Sequence, residues 1–359
     1  MTPTKRGAPN WSPEMLVIVS LILVAVCVGV FCGSLIKSHA KSKGTSFQKG
    51  MTYATWNKEA MGSTASDASL QRLAATHSEW IAFVPTWYQA HYNSTEIRPS
   101  AKTPSDDTLV HAIQRARQLG LKVLLKPQLD LSEDVGISWR GEIDFPDAAG
   151  WKAWFDSYAS FILHYADLAQ EQHAELFCVG TELSSSAWRE ADWRAVIAKV
   201  RGVYHGSLTY AANWNEEYQT IKFWDALDYA GLDPYFPLTD KDRPTLEELK
   251  AAWQPHLSDI ENWQMQIRKP VIFTEVGYKS VRGAAKRPWE DRLGSVDVEL
   301  QRDAYLAVLE TFWDRSWLAG IYWWYWGSHE QMGGPEHRGY TPQHKPAEAL
   351  VTEWYGKVR

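Results

Sequence analysis

Cys178-Val179-Gly180-Thr181-Glu182-Leu183 and Val271-Ile272-Phe273-Thr274-Glu275-Val276-Gly277-Tyr278 are the two runs that decide how this chain folds. Each is a short apolar stretch carrying one glutamate near its end, and a run of that length without polar alternation reads as a buried strand. The carboxylate then sits where the strand leaves the core. A carboxylate on such an edge costs free energy unless it is solvated, paired or used.

Reading outward gives six further strands: Met51–Trp56, Trp80–Trp87, Lys122–Pro127, Ser207–Trp214, Tyr229–Tyr235 and Ala319–Trp326. The two glutamate runs extend to Ala174–Glu182 and Pro270–Tyr278. Helical patterns alternate with them at Ser66–His77, Ser105–Leu119, Asp147–His173, Ala191–Val203, Glu217–Ala226, Thr245–Ile267, Asp297–Trp313 and Ala347–Tyr355. The third is the clearest, with Trp151, Trp154, Phe155, Tyr158, Ile162 and Tyr165 on one face. The second opens on Ser105 as a cap and stops at Gly120. Eight strands, each followed by a helix, predict an α/β fold, a (β/α)8 TIM barrel. An open doubly wound sheet would place a glycine-rich phosphate turn after its first strand, and Tyr53-Ala54-Thr55-Trp56-Asn57-Lys58 is nothing like one.

The chain has 359 residues, 45% of them hydrophobic, and a formal charge of -6. That is enough for one large domain and an appendage. The mild negative balance gives no support to a nucleic-acid partner, which would meet a basic face. Met15–Ile36 carries no charged residue and, at roughly 1.5 Å per residue, is long enough for a bilayer core of about 30 Å. The expected organisation is a tail at 1–14, a transmembrane anchor at 15–36, a polar linker at 37–49 and the barrel at 50–356. Basic residues flank the anchor on both sides, so charge alone does not orient it. A location outside the cytoplasm is an inference from function. Of three cysteines, Cys27 and Cys32 lie in the anchor and Cys178 in a strand, so no disulfide framework or Cys-x-x-Cys metal spacing arises.

Active sites of such barrels lie at the C-terminal strand ends, and those ends are rich here. In strand order they are Trp56, Trp87-Tyr88, Lys126-Pro127-Gln128, Thr181-Glu182, Asn213-Trp214-Asn215, Asp233-Pro234-Tyr235, Glu275 and Trp323-Trp324-Tyr325-Trp326. Glu182 and Glu275, on the fourth and seventh strands, can meet across the mouth. A carboxylic acid and a carboxylate flanking one anomeric centre are what glycoside hydrolysis needs, and a separation of about 5 Å fits the retaining course. One must hold a proton and the other must be ionised, so their surroundings must differ. Tyr235 is placed to donate to Glu275 and hold it ionised, and a drier setting would keep Glu182 protonated. Asp130, Asp144 and Asp233 are rival acids. Trp56, Trp87, Trp214 and Trp326 are expected to form the walls and floor of a sugar cleft, with Trp324 as a second choice on the face of Trp326. Lys126, Asn213 and Tyr235 supply polar contacts, although Lys126 reads equally well as the partner of a rim carboxylate. His91, His329, His337 and His344 lie in loops without metal-ligand spacing, and neither a metal nor a cofactor is expected. Asn93-Ser94-Thr95 is a glycosylation sequon. A barrel that binds glycans without cutting them is the rival from another class.

Gly180-Thr181-Glu182-Leu183 and Phe273-Thr274-Glu275-Val276-Gly277-Tyr278 resemble the acid/base and nucleophile segments of glycoside hydrolase family 113. Met51–Lys58, Leu125-Lys126-Pro127, Asp233-Pro234-Tyr235 and Tyr322–Gly327 are also similar to that family's strand ends, so the resemblance spans roughly residues 46–356. It implies a retaining β-mannanase acting on β-linked mannose-containing polysaccharide, with Glu182 as acid/base and Glu275 as nucleophile. The residue before the acid/base is often Asn in the wider clan, where it binds the sugar 2-hydroxyl. Thr181 stands there in this chain, so that contact must be supplied differently or lost.

Overall fold

The computed structural model describes residues 46–136, 138–290 and 294–359. The anchor expected at 15–36 lies outside them. Among the described residues no helix is long and apolar enough to cross a membrane.

All eight expected strands are present. In chain order the structure has β1 (Gln48–Ala54), β2 (Trp80–Phe83), β3 (Thr86–Gln89), β4 (Lys122–Leu125), β5 (Gln128–Leu131), β6 (Leu176–Thr181), β7 (Ser207–Asn213), β8 (Ala230–Asp233), β9 (Val271–Val276) and β10 (Leu318–Gly327). Eight of them close into a parallel barrel in the order β1-β10-β9-β8-β7-β6-β4-β2. Strand β1 begins inside the segment read as linker, because Gln48 pairs with Gly320 and its side-chain oxygen accepts from the Tyr322 hydroxyl at 2.7 Å.

The two extra strands come from prolines. Each of the second and third expected strands contains one, Pro85 and Pro127, which supplies no N–H to a ladder. The barrel strands therefore end at Phe83 and Leu125, and the chain resumes as β3 and β5, a separate two-stranded parallel sheet pairing Trp87 with Leu129.

Helices α1 (Thr64–Ala75), α2 (Asp106–Gln118), α3 (Ala148–Glu171), α4 (Glu190–Val203), α5 (Glu217–Thr220), α6 (Leu246–Ile267), α7 (Val298–Phe312) and α8 (Pro346–Tyr355) follow the strands. Side chains mark several starts. Ser63 accepts from Ser66, Asp147 from Gly150 and Asp297 from Leu300, while Thr245 and Glu248 form a reciprocal capping box. Ser105 occupies the cap position of α2, yet its hydroxyl bonds the Thr108 side chain at 3.2 Å and leaves the backbone uncapped. The helix expected at Glu217–Ala226 is only a turn, α5, and a 3-10 turn at Trp224–Ala226. Glu217, Tyr218, Ile221, Phe223 and Trp224 are all buried there, a spread of inward positions that does not fit one face of a continuous helix.

Apolar burial holds the layers together. Along α3, the face read from periodicity is the buried one: Trp154, Tyr158, Ile162 and Tyr165 are at most 1% exposed. Each such side chain contributes about 1.5–3 kcal/mol of transfer free energy. Inside the barrel a smaller cluster of Trp80, Ala82, Leu124, Leu176, Ile272 and Tyr322 fills the axis. Gly50 makes this possible, since a Cβ there would lie 2.4 Å from the Tyr322 ring.

Candidate active site

The C-terminal ends of the barrel strands surround a cleft of about 1050 Å³. Both glutamates line it, Glu182 just beyond β6 and Glu275 within β9. The two residues are 7% and 4% exposed, so each is mostly withdrawn from water. Glu182 has a left-handed backbone, φ 53°, and its N–H donates to the Ala211 carbonyl at 2.8 Å. That conformation is uncommon for a residue with a Cβ. It turns the side chain out of the strand direction and over the barrel mouth.

The two acids have different neighbours. Glu275 accepts from the Lys126 ammonium at 2.6 Å on one oxygen and from the Tyr235 hydroxyl at 3.2 Å on the other. Burial drives the Tyr235 phenol well above its ordinary pKa, so it remains a donor. Beneath, Asp233 is fully buried, 3.5 Å from Lys126, and accepts from the Thr274 hydroxyl at 2.6 Å. Burial pushes the Asp233 carboxyl well above the carboxylate range, with Lys126 opposing that shift. For Lys126, burial favours the neutral amine, but Asp233 and Glu275 outweigh it and the net direction is upward. The distances fit this assignment: a charged Lys126 paired with Glu275, and Asp233 keeping its proton.

Glu182 accepts from the Arg140 guanidinium at 2.8 Å and from the Asn213 amide at 2.7 Å. Burial raises its carboxyl above the usual range, Arg140 pulls it back, and the neighbouring Glu275 charge adds to the rise. The two carboxyl groups therefore lie close enough to influence each other. Arg140 comes from the 3-10 turn Arg140–Glu142 and also pairs with Asp130 at 3.7 Å. With its amide oxygen turned toward the guanidinium, Gln128 accepts from Arg140 at 2.9 and 3.1 Å. Both anchors belong to β5, so the small proline-born sheet steadies the cation that meets Glu182.

Aromatic side chains form two walls. On one side Trp56, 44% exposed, stands edge-on to Tyr325 and Trp324 at 5.5 and 6.4 Å. Opposite, Trp214 and Trp289 pack 4.9 Å apart with their planes tilted by 30°, and Trp289 is 43% exposed. Flat apolar faces rimmed by hydrogen-bonding groups suit the C–H faces and hydroxyls of sugars.

Of the expected site residues, Trp56, Glu182, Asn213, Trp214, Tyr235, Glu275 and Trp324 come together in the cleft. Lys126 lies under its floor, fully buried. Trp87 points elsewhere: it belongs to β3, bonds the Tyr165 hydroxyl at 2.8 Å and packs on Phe161. The break at Pro85 shifts its phase. Trp326 is also outside the cleft, fully buried with its indole N–H on the Ser69 hydroxyl at 3.0 Å. A bulge separates it from Trp324, for β1 pairs Met51 with Trp323 but Tyr53 with Trp326, and the extra residue reverses the alternation. Among the rival acids, Asp233 joins the site from below and Asp130 reaches it only through Arg140. His337 lines the cleft, whereas His91 pairs with Asp134. Among the described residues no group of three His, Cys, Asp or Glu side chains is placed to hold a metal ion.

Arg140, Trp139 and Trp289 line the cleft without having been found by sequence reading. Trp139 and Trp289 come from loops and Arg140 from a single 3-10 turn, where periodicity carries no signal. The sole hint was an aromatic beside a basic residue in Trp139-Arg140-Gly141.

Paired carboxyl groups in unlike settings at the mouth of a (β/α)8 barrel define a glycoside hydrolase. Comparison with known proteins gives the family. The sequence model of Glycoside Hydrolase Family 113 matches residues 51–345, and the chain belongs to that family. Among solved structures, a GH113 β-1,4-mannanase in a complex is 31% identical, with a TM-score of 0.78, covering 87% of this chain and 99% of its own. The GH113 β-mannanase of Alicyclobacillus acidocaldarius, in complex with ManMIm, is 29% identical with a TM-score of 0.78, covering 88% and 98%. A β-glucuronidase of Ruminococcus gnavus, 14% identical with a TM-score of 0.58 over 86% of this chain and 50% of its own, shares the fold alone. No curated protein matches the chain.

Proposed function

We propose that this glycoside hydrolase cleaves β-1,4-linked mannose-containing polysaccharide or oligosaccharide by double displacement, as an endo-acting β-mannanase. Glu275 is the nucleophile and Glu182 the acid/base. The observation that carries this reading is the asymmetry of the pair: Glu275 takes hydrogen bonds from Lys126 and Tyr235 on both oxygens, while burial raises the Glu182 carboxyl. The likeness to two GH113 β-mannanases supports the sugar.

In the first step Glu182 gives its proton to the departing glycosidic oxygen as a Glu275 oxygen attacks the anomeric carbon, forming a glycosyl ester. The carboxylate left on Glu182 is received by Arg140 and Asn213, already within 2.8 and 2.7 Å. In the second step that carboxylate takes a proton from water, and the resulting hydroxide displaces Glu275 from the sugar. Two inversions give retention. Trp56 and Trp324 on one side, and Trp214 with Trp289 on the other, supply stacking surfaces for successive sugars. An open, two-walled cleft suits an internal site on a chain better than a blind pocket suits its end.

The uncharged run Met15–Ile36 supports a single-pass membrane protein, and a polysaccharide substrate favours a barrel that works outside the cytoplasm on cell-exterior glycan. Membrane fractionation with protease protection of the full chain tests this. A soluble chain, or a barrel shielded within the cytoplasm, refutes it.

The enzyme reading is tested by incubating the protein with β-mannan and β-glucan panels, following new reducing ends, and reading the first-formed anomer by NMR. The expected result is oligosaccharide products of β-mannan in the β configuration, abolished in Glu275→Ala. Binding without cleavage would instead identify a glycan-binding barrel.

A further inference from the structure

Behind the acid/base lies a second buried carboxyl group that the mechanism above does not use. Glu217, in α5, is 3% exposed and does not line the cleft. Three donors converge on it: the Tyr210 hydroxyl at 2.5 Å, the Asn213 backbone N–H at 2.7 Å and the Ser184 hydroxyl at 3.1 Å. The Tyr210 hydroxyl in turn accepts from the Leu183 N–H at 3.1 Å. Among the described residues no Lys, Arg or His forms a salt bridge with Glu217. Burial pushes its carboxyl up to about 7, against the pull of Tyr210 and Asn213.

An acid in so dry a place, lacking a cation, costs stability. Its partners account for its presence. Leu183 and Ser184 immediately follow Glu182, and Asn213 donates its side-chain amide to Glu182. Every group that Glu217 grips therefore flanks the acid/base, either along the chain or across β7. Glu182 itself has a left-handed backbone, which a residue with a Cβ keeps only where surrounding contacts over-determine it. The Glu217 contacts supply that restraint on the C-terminal side, where strand pairing with β7 has ended at Thr181.

We propose that Glu217 is the positioning residue of the acid/base: it ties Leu183 and Ser184 to Tyr210 and Asn213 of β7 and so holds the Glu182 carboxyl against the leaving oxygen. The inference rests on the acid/base role given to Glu182 above. It concerns proton delivery, not sugar binding, and that difference makes it testable. Protonation matters most when the leaving group is a poor one, and little when it departs readily as an anion.

The test measures kcat/KM for the full chain on aryl β-mannosides whose leaving groups run from dinitrophenol to phenol. Glu217→Gln keeps size and one acceptor but sets an N–H₂ against donors. Tyr210→Phe keeps the packed ring and removes the hydroxyl that joins Glu217 to Leu183, so it decides the matter should the first variant fail to fold. Expected is a loss on the order of tenfold or more on the phenyl substrate, with a much smaller loss on the dinitrophenyl one. The slope of rate against leaving-group acidity therefore steepens. A folded variant that loses activity equally on all substrates, or loses none, overturns the inference and leaves Glu217 a packing group. A parent enzyme inactive on every β-mannoside overturns the functional reading itself, and the inference with it.

Discussion

Glu275 at the cleft floor and Lys126 and Asp233 beneath it form one ionisable cluster. The site is dry, so net charge is expensive, and it is neutral when Lys126 is charged, Glu275 ionised and Asp233 protonated. Lys126→Met deletes the cation of this cluster and leaves two buried acids. We expect kcat to fall by about a hundredfold or more and stability to drop by about 3–5 kcal/mol, read by initial rates and denaturant unfolding. Unchanged kcat would mean that Lys126 does not sustain the nucleophile. At the other acid the sign differs. Glu182 must be protonated to act, so the alkaline limb of kcat/KM reports its loss of the proton. Burial raises that carboxyl and Arg140 lowers it. Arg140→Met removes the lowering influence, and the alkaline limb should move up by about one pH unit or more. A limb that stays in place, or moves down, would show that Arg140 does not act on Glu182 electrostatically.

The strand ends set these side chains in place, and they are also where sequence reading succeeded and failed. Just past β9 the chain passes through Gly277, whose Cβ, were there one, would lie 2.4 Å from the Trp324 carbonyl oxygen of β10. Gly277→Ala therefore pushes the eighth barrel strand and its cleft-lining tryptophan outward. A loss of about 1–3 kcal/mol is expected, together with a raised KM, measured by thermal unfolding and oligosaccharide kinetics. An unaltered KM would show that Trp324 is not held by this contact. The strands themselves were legible because apolar runs of strand length need no knowledge of their partners. Residues fixed by those runs, Glu182, Asn213, Tyr235 and Glu275, could be placed at the mouth from spacing alone. Trp87 and Trp326 could not. A proline break before the first and a bulge before the second each altered the phase by which side chains alternate, and a bulge depends on the neighbouring strand. Arg140, on a turn after β5, had no periodic pattern to betray it. Helix α5 failed for a related reason, since its polar residue Glu217 is buried by a contact with β7 that no local pattern announces.

On the scale of the whole barrel, the site joins elements far apart in sequence. Glu275 on β9 is held by a lysine just past β4 and a tyrosine just past β8, and Glu182 beyond β6 by an arginine after β5 and an asparagine of β7. A parallel closed sheet brings all these ends to one rim, so two carboxyl groups can receive opposite treatment within one cleft. The central claim is that Glu275 forms the covalent bond to sugar. It is met most directly by trapping the enzyme with a fluorinated β-mannosyl fluoride and sequencing the labelled peptide by mass spectrometry. The account predicts a single glycosyl adduct on Glu275, absent from Glu275→Ala. An adduct on another residue, or turnover of β-mannan to inverted product with no adduct at all, would contradict it.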